Sequence, residues 1–309
     1  MLTGAARPGR FFKSPLFPSL FFPSWLRYFA SGLLTLLLAG FLGATLIRFG
    51  PGYETDERVL DARYSDSTAA VIAKESARES NVFLFYGRYL KGAMRGDFGI
   101  SRSLELPVTQ LIRARAAVTL QLIARGLLFG WVAGLTLAAA ASFFRWPLLA
   151  LGAEALSGIA LSLPAAVFAL LIFLARGPVF LVLALAIFPR VFRYARELFE
   201  YARAEPIVEA ARTRGIPEFL IFWRYIMKGA WPPLLALAGV SFSIAFGALI
   251  PVEVVCDIPG IGQLAWTAAL ARDLPVLVTL TLLVTAVTVA ANGLAEYASG
   301  FRPLPAEIK

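Results

Sequence analysis

Residues 201–233, YARAEPIVEAARTRGIPEFLIFWRYIMKGAWPP, form a charged, amphipathic stretch between strongly apolar blocks. Charge is too costly in hydrocarbon for such a stretch to lie there, so it must sit in water or at a membrane surface. Ala210 and Ala211 are small enough to let another surface approach a helix closely. Gly215 has no Cβ, so the backbone can change direction there at little steric cost. Ile216 precedes Pro217, and proline suits the first turn of a new helix, where no N–H is needed. The expected object is a helix, a bend and a second helix: an elbow.

The apolar blocks decide the fold class. The chain of 309 residues is 59% hydrophobic and only 16% charged, against about 25% charged in soluble domains. An all-α, polytopic membrane protein follows. A net charge of +9 would suggest nucleic acid in a soluble protein. Here Lys and Arg collect beside apolar spans, as the positive-inside rule expects, so no nucleic-acid partner is implied. The chain has no His, which excludes His-based triads, zinc-protease helices and imidazole relays. Its one cysteine, Cys256, cannot form an intramolecular disulfide. No G-x-x-x-x-G-K-[ST] phosphate cradle is present, so nothing in the chain can hydrolyse ATP. Neither a catalytic residue nor a metal or other cofactor is expected.

Residues 1–25 are basic (Arg7, Arg10, Lys13) and read as a cytoplasmic N-terminal segment. The apolar stretch that follows, 26–47, runs for ~20 residues, enough to span a bilayer. It therefore reads as a retained first span rather than a cleaved signal. Residues 48–117 read as a long extracytoplasmic loop. Within it Tyr86, Tyr89, Leu90 and Met94 fall near helical spacing, and Gly96-Asp97-Phe98-Gly99 breaks the chain. Residues 118–300 read as a core of five spans, with a cytoplasmic loop at 200–230 and a cytoplasmic tail at 301–309. The second span is expected at 118–143, where Arg125 can snorkel, and the third at 148–175. Ser157, Gly158, Ser162 and Pro164 in the third mark close helix packing or, alternatively, line a passage.

The fourth span is apolar over 178–188, and Pro189, Arg190, Arg193, Arg196 and Glu197 follow at once. The three arginines share one helical face, and Arg193–Glu197 and Arg196–Glu200 are i,i+4 partners. In one reading the helix leaves the membrane here and its arginines sit among cytoplasmic headgroups. In the other, Arg190 and Arg193 face a water-filled route inside the bundle, because intramembrane charge is costly and usually functional. The fifth and sixth spans are expected at 231–252 and 274–295. With a cytoplasmic N-terminus, six spans put the elbow inside and the connector 253–273 outside.

Several motifs carry a family resemblance. EAARTRG followed by WRYIMKGAWPPLL is similar to the "EAA" loop of permease subunits of ATP-binding-cassette importers, more narrowly the dipeptide, oligopeptide and nickel branch. Glu209, Ala210, Ala211 and Gly215 match, with Arg212 among them, while residues 225–228 depart from the general Ile-x-Leu-Pro pattern. Residues 95–101, RGDFGIS, resemble the segment before that branch's second span, and LSGIALSLPAAVFALLIFL resembles its third. The most specific likeness is PVEVVCDIPGIGQLAWTAALARDLPVL, where Glu253, Pro259, Gly260, Gly262, Ala269, Arg272, Asp273 and Pro275 match. The likeness extends over residues 25–303.

The resemblance implies the type I importer permease fold and a bacterial inner cell membrane location with both termini cytoplasmic. It implies that the elbow docks on an ATPase through Glu209, Ala210, Ala211, Arg212 and Gly215. The implied partners are a second permease subunit, two ATP-binding-cassette ATPase subunits, an extracytoplasmic substrate-binding protein and the lipid bilayer. Peptides are the commonest cargo of the branch. Asp97 reads as part of a surface loop rather than a substrate contact, and the 253–273 connector as structural. Three other classes remain for comparison. A degenerate permease kept as a scaffold would share these motifs. An ion-gradient carrier would want intramembrane carboxylates in repeated halves, whereas only Glu154 lies inside an apolar span. An intramembrane enzyme needs a nucleophile–base pair or carboxylate dyad, and none is found.

Overall fold

A computed structural model describes residues 24–49, 82–144 and 147–299. The N-terminal segment, the tail and the polar stretch 50–81 lie outside the described residues. The elements are α1 (Ser24–Phe49), α2 (Val82–Ala93), α3 (Val108–Phe144), α4 (Pro147–Ser162), α5 (Ala165–Leu174) and α6 (Phe180–Arg203). There follow α7 (Pro206–Thr213), α8 (Glu218–Ile221), a π-turn (Phe222–Ile226), α9 (Met227–Val255), α10 (Ile261–Leu270) and α11 (Leu274–Ser299). Among the described residues there is no strand, only an isolated bridge between Ile100 and Pro107.

Three helical stretches are each long and apolar enough to cross a bilayer: Val108–Phe143, Glu218–Val255 and Leu274–Ser299. α1 carries a shorter apolar run, Ala30–Leu46. The third expected span, 148–175, is not continuous. It breaks into α4 and α5, which pass as a single crossing only together and are bent by 102°. Proline biases the residue before it away from the helical region and supplies no N–H, so Leu163-Pro164 ends α4. Pro164 itself is extended, with φ −62° and ψ 147°, and caps α5. The second span also begins earlier than 118, at Val108, because that side chain is fully buried against Leu264 and Val276. α6 is apolar in its first half, charged in its second, and runs unbroken through Pro189 to Arg203.

The bundle is built on the seam between α3 and α6. Gly126, Gly130 and Gly134 recur every fourth residue and so lie along one face of α3. A Cβ on them would come within 2.5, 3.0 and 2.8 Å of Leu183, Ile187 and Val191. The numbers rise together along both helices, so the two run parallel. Hydrocarbon supplies no hydrophobic drive between helices, and close backbone approach of this kind is what holds them. Leu183, Ile187 and Val191 then meet Leu249 and Val252 of α9 in one buried cluster.

α11 closes the other side. Asn292 Nδ2 donates to Ser243 Oγ of α9 at 2.9 Å. α2 straps α1 to α11: the Tyr86 hydroxyl donates to the Leu37 carbonyl at 2.9 Å, and the Tyr89 and Thr279 hydroxyls lie 2.6 Å apart. The helical spacing of Tyr86, Tyr89 and Leu90 is therefore real. Met94 falls beyond the helix end and is 88% exposed.

Gly130→Leu should force α3 away from α6 and cost about 1–3 kcal/mol, read as a lower melting temperature of the detergent-solubilised chain. Gly152→Leu, where a Cβ meets nothing within 4 Å, should cost far less. Equal losses at the two positions would mean that the seam is not close-packed.

Candidate functional site

The elbow forms at one end of α6 and α9. Pro206 opens α7 and Glu205 caps it. α7 ends where Gly215 turns to φ +74°, its N–H donating to the Arg212 carbonyl at 2.9 Å while the Ile216 N–H reaches the Ala211 carbonyl at 3.2 Å. That left-handed turn favours glycine, and a Cβ there would meet no other atom within 4 Å. Pro217 then caps α8, which passes through the π-turn into α9 without a gap.

The five predicted coupling residues divide between two faces. Glu209, Ala210 and Gly215 are exposed and Arg212 is half-buried. Ala211 turns inward instead: with Val208 it is buried against the chain's own Phe199, Ile221 and Phe222. Its small side chain serves the close approach of α7 to this core, and Ala210 alone of the pair presents a small outward surface. Two residues that the motif did not include complete the elbow. Arg212 Nε donates to Glu218 Oε1 at 2.7 Å, and Glu209 lies 3.4 Å from the same guanidinium. The hydrogen bond to Glu218, with both nearby carboxylates, holds the Arg212 guanidinium above its ordinary pKa. Arg203 of α6 approaches the other oxygen of Glu218 at 4.0 Å. The signal available in the sequence was Glu218 directly after Pro217, in the first turn of a helix, where a carboxylate is favoured.

At the opposite end, the 253–273 connector is held by two buried carboxylates. Glu253 of α9 has no exposed surface. Its Oε1 accepts from Thr119 Oγ1 of α3 at 2.7 Å, and its Oε2 accepts from the Gly262 and Gln263 N–H groups at 2.6 and 3.1 Å. The Thr119 hydroxyl oxygen in turn accepts from the Ile261 N–H at 2.8 Å. A carboxylate seated on the first turn of α10 explains the Pro-Gly-x-Gly pattern: a Cβ at 260 would collide with it, and one at 262 would lie 3.0 Å from Oε2. Asp273, also fully buried, accepts through Oδ2 from Ser101 Oγ, Ser103 N and Ser103 Oγ at 2.5, 3.0 and 2.9 Å. It thereby ties the 95–107 loop to the start of α11. Asp97 instead makes a local turn, accepting from the Gly99 N–H at 3.0 Å.

Between these ends runs the arginine face of α6. Arg196 pairs with Glu154 of α4 and with Glu200, the latter at 2.8 Å. The expected Arg193–Glu197 pair does not form; Arg193 Nε donates to Ser157 Oγ of α4 at 2.7 Å. α4 lies alongside and supplies a hydroxyl that the local i,i+4 rule cannot see. Arg190 donates to the Ala186 carbonyl of its own helix at 2.8 Å.

Glu253→Ala removes the acceptor of three donors at once, and each buried donor left unmet costs about 1–3 kcal/mol. The Gly262 and Gln263 amides should then exchange hydrogen much faster, while α3 amides near Gly130 change little. Unchanged exchange at 262 and 263 would mean that some other contact holds α10.

Residues 120–299, from α3 to the end of α11, match the family described as "Binding-protein-dependent transport system inner membrane component". The chain is also similar to the glutathione transport system permease protein GsiC of Shigella flexneri serotype 5b, at 26% identity over 286 residues, 85% of this chain and 86% of that one. Against the same protein of Salmonella paratyphi A it is 25% identical over 264 residues, 79% of this chain and 85% of the relative. Against that of Escherichia coli K12 it is 25% identical over 282 residues, 85% and 86% of the two chains. The matched region contains the glycine seam, the arginine face, the elbow and the Glu253 clamp, and the chain belongs to the family of inner-membrane permease components of binding-protein-dependent, ATP-binding-cassette transport systems.

Proposed function

We propose that this chain forms half of the transmembrane path of an ATP-driven importer for peptides or a related small solute, and that its elbow receives the drive from separate ATPase subunits. The observation that carries this reading is the two-sided elbow. Its outer face exposes Ile207, Phe219 and Trp223, at 56, 64 and 56%, beside Glu209 and the Arg212–Glu218 pair. Clustered exposed apolar side chains among charges suit a protein partner. Its inner face is packed into the same cluster as Phe192 and Phe199 of α6 and Ile226 of the π-turn. A displacement imposed on the outer face therefore moves α6 and α9 with it.

The elbow end also gathers Arg203, Arg212, Arg214, Arg224 and Lys228, which supports a cytoplasmic placement by the positive-inside rule. The Glu253–Asp273 connector then faces outward, toward an extracytoplasmic binding protein, and both termini lie inside. A second permease subunit completes the path, and ATP is hydrolysed by the two ATPase subunits alone. The relatives named for glutathione support a peptide-like cargo. ATP can shift the permease only if the elbow contacts the two ATPase states differently. Glu154, the one carboxylate within an expected span and so the one open to an ion-gradient carrier, is committed to Arg196.

Gly215→Val tests the coupling. It meets no neighbour, so its effect is backbone strain of about 1–2 kcal/mol at a left-handed position. In the reconstituted complex, cargo-stimulated ATPase should fall about 5- to 30-fold while the ATPase subunits stay bound. Unchanged stimulation and uptake would remove the elbow from the mechanism.

A further inference from the structure

A cavity of about 300 Å³ opens where α4 breaks into α5, walled by Leu161, Pro164, Ala165, Arg190, Gly247 and Pro251. Three observations meet there. The first is the break itself: backbone that leaves the helical ladder at membrane depth is tolerated where it is packed in protein or lines a water-filled cavity. The second is Arg190, the single charged side chain of this wall. α6 has 24 residues, about 36 Å at ~1.5 Å per residue, and Arg190 stands about 15 Å from its Phe180 end. The guanidinium bonds the Ala186 carbonyl, one turn toward Phe180 and away from the elbow. It is therefore not reaching for headgroups at the elbow end, as the headgroup reading of this arginine requires. The third is charge balance. Arg196 has two carboxylates, but among the described residues Arg193 bonds only a hydroxyl and Arg190 only a carbonyl. A guanidinium carries five donors, and one of Arg190's is used.

We infer that this cavity is an anion station on the transport path, where Arg190 binds a carboxylate of the cargo and the apolar walls hold its uncharged part. The inference rests on the permease reading above and adds a substrate class to it: small solutes bearing a free carboxylate. Among the described residues no acidic side chain lines this wall, so none of them competes for the site there. Arg193, one turn further along α6, is the next cation the carboxylate would meet on its way to the elbow end.

The test uses the complex of this chain with its sister permease and ATPase subunits in lipid. Phenylglyoxal, an arginine-selective dicarbonyl, is added, and modification of Arg190 is read by peptide mass. The probe is the dipeptide alanyl-aspartate, set against its diamide. Arg190 should be modified, and alanyl-aspartate should slow the modification about tenfold while the diamide does not, the difference expected for a hydrogen bond between charged groups. No modification, equal slowing by both peptides, or slowing only on changing to anionic lipid would each overturn the inference. In proteoliposomes, Arg190→Gln should lower the ratio of alanyl-aspartate to diamide uptake about tenfold. Protection of Arg190 in a complex that takes up neither peptide would count against the transport reading and leave the anion site standing. Uptake of both with a ratio indifferent to Arg190→Gln would do the reverse.

Discussion

A carboxylate removed from water must find donors, and Glu253 finds them on two other elements. Thr119 comes from α3 and the Gly262 and Gln263 amides come from the start of α10. One side chain of α9 thus fixes the height of α3 against α9 and the point at which α10 begins. A network of this kind stabilises only when every member is satisfied, and glycines make the room for it: a Cβ at 260 would collide with the carboxylate and one at 262 would crowd it. Asp273 repeats the device for α11 and the 95–107 loop. With Val108, Leu264 and Val276 packed between them, the two carboxylates make the connector end the stiff end of the bundle.

The elbow end is held differently. Its polar pairs lie at the surface, where they contribute little, and its shape comes from the burial of Val208, Ala211, Ile221 and Phe222 against Phe199. From there the packing is continuous along α6: Phe192 belongs to the elbow cluster, while Val191 and Ile187 belong to the one shared with Leu249 and Val252. The regular ladder is interrupted at the Gly215 turn, at the π-turn Phe222–Ile226, and at the Leu163-Pro164 break. Packed helices move as units and not by continuous deformation, so these three are among the places where a change of state can be absorbed. Two of them are in the elbow and the third is at the cavity.

What the sequence revealed and what it hid follow the range of the forces involved. The Gly215 bend and the Pro217 restart depend on the backbone of single residues, and both were legible. So was α2, from the spacing of Tyr86 and Tyr89. The 148–175 stretch carries both signals: its apolar length marks a crossing, and the Leu163-Pro164 pair breaks it into α4 and α5. The seam is a different case, because Gly126, Gly130 and Gly134 stand in plain helical register yet say nothing of which helix they face. Ala211 turned inward because its face is set by where α6 and α8 lie. The exchange of Glu197 for Ser157 as partner of Arg193 has the same origin: the i,i+4 rule describes an isolated helix, and α4 is closer than the next turn. Glu253 and Asp273 belong to a legible pattern, but two of their donors, Thr119 and Ser101, lie 134 and 172 positions away in sequence, and no local rule reaches that far.

The arginine face of α6 carries a further asymmetry. Moving from the elbow end toward the middle of the helix, compensation falls: Arg196 has two carboxylates, Arg193 a hydroxyl, Arg190 a backbone carbonyl. Arg190 is nevertheless an exposed residue, and it is the one charged side chain on the wall of the cavity at the Leu163-Pro164 break. Arg190 and Pro164 of the break line the same cavity. A cation bonded only to a backbone carbonyl and a broken helical ladder therefore border one feature of the molecule.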